Sequence, residues 1–126
     1  ISPEEAVNFV MSSIENMLGG EVFIPKMPSS KIVDIANSID SSISIKVIGK
    51  KFGEKIYESL ISKDDSSNTF ESSDRFTILR NLKKVNKYKN KFKKFKKVSK
   101  DFEYNSLNTL RLDKKQIQKV ITKFSS

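Results

Sequence analysis

The sequence predicts a small α/β fold, and three observations predict it. Stretches of helical period alternate with short apolar runs of strand length, glycine and proline mark the transitions, and 126 residues with 37% hydrophobic content supply one modest core. The elements follow in chain order. Ser2-Pro3-Glu4-Glu5 has the form of a capping box, with Pro3 fixing φ at the first helical position and Glu5 placed to reach back to the Ser2 backbone. Ala6, Phe9, Val10, Ile14, Met17 and Leu18 then recur every three or four residues along one helix face, and Gly19-Gly20 supplies the stop. Val22-Phe23-Ile24 reads as a short buried strand ended by Pro25 and Pro28. Ser29 or Ser30 is placed to cap a second helix carrying Ile32, Val33, Ile35, Ala36 and Ile39. Ile43, Ile45 and Val47 alternate with polar neighbours as a second strand would, up to Gly49. A loop closed by Gly53 leads to a third, short helix with Ile56, Tyr57, Leu60 and Ile61, where Tyr57 and Glu58 orient and pack the helix. Residues 62–68 form a polar turn, and Phe76, Ile78 and Leu79 suggest a further strand.

Composition narrows the function. The chain has no cysteine and no histidine, which removes disulfides, thiol nucleophiles, the usual zinc sites and the side chain best suited to proton transfer near neutral pH. No catalytic and no metal-ligating residue is assigned. No window of about twenty apolar residues occurs, and no charged-then-apolar leader opens the chain, so a cytoplasmic protein is expected. Ile1 stands just before a helix start, which suggests truncation at that end.

The net charge of +9 is concentrated in one place. Residues 1–79 hold 8 Lys and Arg against 12 Asp and Glu, whereas residues 80–100 hold 11 against none. Self-repulsion predicts that this stretch stays extended or mobile unless a partner neutralises it. It therefore reads as a basic linker or insertion between an α/β lobe over 1–79 and a tail over 101–126. In that tail Asp113 is placed to cap a helix whose stripe is Ile117, Val120, Ile121 and Phe124. The interleaved Tyr88, Phe92 and Phe95 allow a rival reading, a standalone basic module that stacks bases or lies on an anionic membrane. No nucleic-acid-binding motif accompanies the run, and a solvated linker is the simpler account.

Several motifs in order carry a resemblance. They are Ser2-Pro3-Glu4-Glu5-Ala6-Val7, Gly20-Glu21-Val22-Phe23-Ile24-Pro25-Lys26-Met27-Pro28-Ser29, and Lys31-Ile32-Val33-Asp34-Ile35-Ala36. Val47-Ile48-Gly49, Gly53-Glu54-Lys55-Ile56-Tyr57-Glu58, and Tyr104-Asn105-Ser106 with Asn108-Thr109 and Arg111-Leu112 complete the set. Together they resemble the C-terminal part of bacterial UDP-N-acetylglucosamine 4,6-dehydratases of polysaccharide biosynthesis, in the extended short-chain dehydrogenase/reductase superfamily. The resemblance implies a small C-terminal substrate-binding lobe with the Rossmann domain absent. NADP and a tyrosine–lysine pair would belong to that missing N-terminal domain. The lobe would grip the UDP moiety and be inactive alone, and the complete enzyme would oxidise C4 of the sugar and eliminate water across C5 and C6. Capsule or lipopolysaccharide synthesis and a homo-oligomer are further implications. The tail motif resembles that of the C5-inverting branch.

The resemblance also implies site residues. The loop from Gly49 to Lys55 suits a diphosphate physically, since its glycines let backbone approach an anion and three lysines supply charge. Lys51 stands where the family turn has arginine, and Phe52 where it has proline. Lysine offers a point charge in place of a two-pronged fork, a difference of about 1.5–3 kcal/mol for one charged hydrogen bond. Glu54 stands where the family accepts hydrogen bonds from ribose hydroxyls. Lys26 and Ser29 resemble a substrate-lining segment. The plainer readings are a solvated turn for Lys51, helix-dipole complementation for Glu54 and loop chemistry for Lys26 and Ser29.

Overall fold

A computed structural model describes residues 1–124; the Phe124 side chain, assigned above to the last helix stripe, lies outside what is described. The chain divides into two units, Ile1–Met27 with Ser59–Tyr104 and Pro28–Glu58 with Asn105–Ser126. Both are discontinuous in sequence and cut across the boundaries expected at 79 and 100.

The first unit opens with α1, Pro3–Asn16. The capping box forms as its residues dictate: the Glu5 N–H donates to Ser2 Oγ at 3.1 Å, and the Ser2 N–H donates to Glu5 Oε2 at 2.7 Å. The chain then turns through Gly19 and Gly20, both at positive φ, into β1, Glu21–Pro25. The last turn of α1 has no basic residue of its own. Cations from far along the chain take that place, Lys84 Nζ donating to the carbonyls of Leu18 and Gly19 and Lys91 Nζ to that of Asn16.

Strand β2, Ser59–Ile61, precedes a one-turn 3₁₀ helix over Asp64–Asn68. Strands β3, Thr69–Glu71, and β4, Arg75–Leu79, follow. Helix α3, Val85–Lys91, then leads to β5, Lys96–Lys97, and β6, Tyr104–Asn105. The main sheet runs β1-β4-β3-β5 with every neighbour antiparallel, and β2 pairs with β6. The α/β class therefore holds with an antiparallel sheet. Period-two alternation sends successive side chains to opposite faces. Opposite Thr77, Phe23 and Phe70 point to one face, where Phe70, Leu79, Tyr88, Phe92 and Phe95 form a core with Phe23, Leu18 and Val85 against it. Ile24 and Phe76 point to the other face, where they pack with Ile61 and Tyr104.

The basic stretch is thus no extended linker. Tyr88, Phe92 and Phe95, spaced four and three apart, turn inward from α3 and the segment after it, while their lysine neighbours stay exposed. Burying three aromatic rings outweighs the repulsion among solvated ammonium groups. The expected third helix is also replaced. Ile61 is buried in a strand, because a stretch of six residues with four apolar side chains is too short to nucleate a helix and finds a ladder partner instead.

In the second unit α2, Ile32–Ile39, packs against α4, Lys114–Phe124. Asp113 caps α4, accepting from the Gln116 N–H at 2.8 Å, while Gln116 Oε1 accepts from the Asp113 N–H. Neither Ser29 nor Ser30 caps α2; its N-cap is Lys31, with no side-chain cap bond. The expected strand over 43–47 does not form. Its alternation is that of a half-buried strand, but no described strand offers it a ladder, and Val47 and Ile48 are exposed.

Candidate functional site

The Gly49–Lys55 loop of the second unit is held open by backbone. Gly49 and Gly53 take φ of 81° and 85°, a region that favours residues without Cβ, and nothing lies within 4 Å of where a Cβ would stand on either. Between them the chain closes on itself: the Lys51 N–H donates to Glu54 Oε2 at 2.8 Å, and the Glu54 N–H donates to the Lys51 carbonyl at 3.2 Å. Lys50, Lys51, Phe52 and Lys55 are exposed, and no described carboxylate is ion-paired with any of the three lysines. The arrangement is a small reciprocal turn, not the start of a helix, so the helix-dipole reading of Glu54 falls away. One Glu54 oxygen holds the turn through the backbone, and three ammonium groups that no described carboxylate pairs with suit an anion of two or more charges.

Ser29 lies in the same unit with a different job. Its N–H donates to the Leu110 carbonyl at 2.8 Å, its own carbonyl accepts from the Leu112 N–H at 2.9 Å, and its Oγ donates to the Ser106 carbonyl at 2.9 Å. Ser106 in turn holds Glu58, its N–H donating to the Glu58 carbonyl at 3.0 Å and its Oγ accepting from the Glu58 N–H at 3.4 Å. Glu58 thus joins this tail, and neither it nor Tyr57 packs a helix. Three motifs far apart in sequence meet here, around Ser29, Glu58 and Ser106. Asn105 shapes the tail locally, its Oδ1 accepting from the N–H groups of Leu107 and Asn108.

Lys26 belongs to the first unit, apart from the other three site residues in the division of the chain. Its ammonium pairs with Glu71 Oε1 at 2.8 Å and lies 5.2 Å from the Phe76 ring centre. The Lys26 hydrogen bond draws the Glu71 carboxyl below its usual range against the opposing pull of burial, and Lys96 adds to it at 3.6 Å. A residue that sequence reasoning did not single out anchors this segment. The Tyr104 hydroxyl accepts from the Met27 N–H at 2.7 Å and donates to the Met27 carbonyl at 3.0 Å. The signal was present in the two motifs themselves, Pro25-Lys26-Met27-Pro28 and Tyr104-Asn105-Ser106, which a buried phenol joins.

The residues described do not fit a dinucleotide such as NADP. Gly19 and Gly20 lie between a helix and a following strand, the reverse of the strand-to-helix turn that cradles a pyrophosphate, and Gly49 and Gly53 open no helix.

Residues 1–80 match the family model described as polysaccharide biosynthesis protein. Two curated proteins of Campylobacter jejuni, both named UDP-N-acetylglucosamine 4,6-dehydratase (inverting), are 44% and 41% identical to the chain. Each alignment spans 86% of this chain and 34% of the relative. The X-ray structure of Pen from Bacillus thuringiensis superposes with a TM-score of 0.75 at 27% identity, over 97% of this chain and 37% of that one. The chain thus spans about a third of the length of the curated relatives it matches. It belongs to the polysaccharide biosynthesis protein family, on the side of the UDP-N-acetylglucosamine 4,6-dehydratases.

Proposed function

We propose that this chain is the part of a nucleotide-sugar 4,6-dehydratase that binds the uridine diphosphate of UDP-N-acetylglucosamine, with the redox chemistry and its NADP held by a preceding Rossmann domain. The observation that carries the proposal is the Gly49–Lys55 turn. It holds three lysines with no acidic partner between two positive-φ glycines, in a chain 44% identical to a protein named for that reaction. Lys51 contacts the diphosphate, aided by Lys50, Lys55 and the open backbone. Glu54 uses one oxygen to hold the turn and leaves the other to accept from a ribose hydroxyl. Ser29, in the same unit, lines the substrate more remotely through the segment it anchors. The reaction takes place in the cytoplasm, where the nucleotide sugar is made, and supplies a deoxysugar for a surface glycan. Among the described residues, no helix is long and apolar enough to cross a membrane.

The rival reading of residues 80–100 as a base-stacking module loses its stacking surface, because Tyr88, Phe92 and Phe95 are buried. Calorimetric titration with UDP and with inorganic pyrophosphate tests the proposal. Lys51→Ala should weaken both ligands by about tenfold or more, the effect of one charged hydrogen bond. Glu54→Gln, which keeps an acceptor for the turn, should weaken UDP more than pyrophosphate. Titration curves unchanged in both variants would overturn the assignment.

A further inference from the structure

We propose that residues 80–100 form a fixed basic surface that seats the protein on an anionic phospholipid bilayer. The inference rests on residues outside the nucleotide-sugar site and stands or falls separately from it. The segment is built, not loose. Tyr88, Phe92 and Phe95 stack on one another with ring centres 5.8–6.1 Å apart, and Phe95 stacks on Phe70 of β3 at 5.0 Å. The aromatic rings point into the core and the ammonium groups are left outside. Of the eleven cations, Lys84 and Lys91 reach carbonyls at the end of α1 and Lys96 reaches Glu71. The remaining eight, among them Lys87, Lys89, Lys93 and Lys97, have no carboxylate within ion-pair distance among the described residues. The fold thus leaves these like charges of one short segment without an opposite partner, and a polyanion is the partner that relieves their repulsion.

Two features favour a bilayer over a nucleic acid. The aromatic side chains that would stack on bases are buried, and ten of the eleven cations are lysine, a hydrated point charge without the planar fork suited to clamping single phosphates. Diffuse attraction to a sheet of anionic headgroups asks only for charge within a Debye length, about 8 Å at physiological salt. The surface adsorbs without inserting.

Co-sedimentation with vesicles tests this. The protein should pellet with vesicles containing phosphatidylglycerol, stay in solution with pure phosphatidylcholine, and leave the anionic vesicles as salt is raised. Each lysine at such a surface is worth about fivefold in partitioning, so replacing Lys87, Lys89, Lys93 and Lys97 together by Gln should weaken binding roughly a hundredfold or more. All four side chains are exposed, so the variant should keep its thermal midpoint and its UDP titration. Equal sedimentation with neutral and anionic vesicles would overturn the proposal, as would undiminished binding by the fourfold variant. Preferential retention on duplex DNA at equal phosphate concentration would also overturn it, in favour of a nucleic-acid partner.

Discussion

Arg75 is the residue on which the first unit turns. It is 3% exposed, with its guanidinium 4.8 Å from the ring centre of Phe9, 5.6 Å from that of Phe23 and 5.1 Å from that of Phe92. Its edges donate to Asp74 Oδ2 from Nε and Nη2 at 2.9 and 2.8 Å, and to the hydroxyls of Ser12 and Ser13. One cation therefore joins α1, the sheet and the basic segment. A buried cation is tolerable only when paired and hydrogen-bonded, so Asp74 matters although its own side chain is half exposed. Burial pushes the Asp74 carboxyl up, and the hydrogen bonds and charge of Arg75 more than reverse this, leaving it below the usual range. A carboxyl depressed in the folded state contributes stability above its unfolded pKa of about 3.9 and loses it as pH falls further. Asp74→Asn should then cost roughly 1–2 kcal/mol at pH 7, water taking up part of the loss. The gap should be smaller at pH 3, below the unfolded pKa, where the unfolded chain takes up a proton that the folded carboxyl resists. Urea unfolding at the two pH values checks it, and a gap independent of pH would mean that the charge of Asp74 is immaterial. The caps of α1 and α4 were legible in the sequence, because Ser2 with Glu5 and Asp113 with Gln116 act over three residues. Arg75 was not, because its partners come from residues 9 to 92 and only folding assembles them.

At the scale of elements, charge density misled where spacing was informative. Tyr88, Phe92 and Phe95 follow the helical period that identified α1, yet the lysines between them read as a solvated chain. The Tyr88 side chain is fully buried, and both burial and the neighbouring Glu21 carboxylate push its hydroxyl up. The element is tied down by its rings and by Lys84 and Lys91 at the end of α1, with most of its other ammonium groups left to water. A prediction follows for proteolysis. Residues 80–100 hold eleven trypsin sites, and an extended linker would be cut at once. If α3 and β5 are folded, cleavage there should be no faster than global opening. Tyr88→Ala should cost about 3–5 kcal/mol, the range for an aromatic deleted from a core, and should expose the same sites. Rapid cutting of the wild-type protein within this stretch would restore the linker. The strand expected over 43–47 failed for the converse reason: alternation declares which side chains seek burial, but a ladder needs a neighbour that the sequence of one segment cannot name.

At the scale of the whole molecule, the order of motifs was enough to place the chain in its family, while the two interleaved units were hidden because each is assembled from segments distant in sequence. The apolar stripe of α1 shows what a correct reading of period leaves open. Phe9 and Leu18 find partners in the first unit, but Val10, Ile14 and Met17 are each more than half exposed, as are Val7 and Met11. Val10, Ile14 and Met17, with Val22 and Phe23 of β1, line an apolar groove beside a strand whose outer edge is unpaired among the described residues. An amphipathic helix forms because its apolar face gains by leaving water, and here much of that face stays wet. At raised concentration, copies of this chain should cover the groove for one another. Sedimentation velocity is then expected to show association growing with concentration, and Val10→Glu with Ile14→Glu should shift the protein toward monomer without loss of helix by circular dichroism. Neither side chain is needed for the caps or for Arg75, so the double variant separates the stickiness of the face from the stability of the fold. A wild-type chain that stays monomeric at every concentration would mean that the groove is too small to drive association.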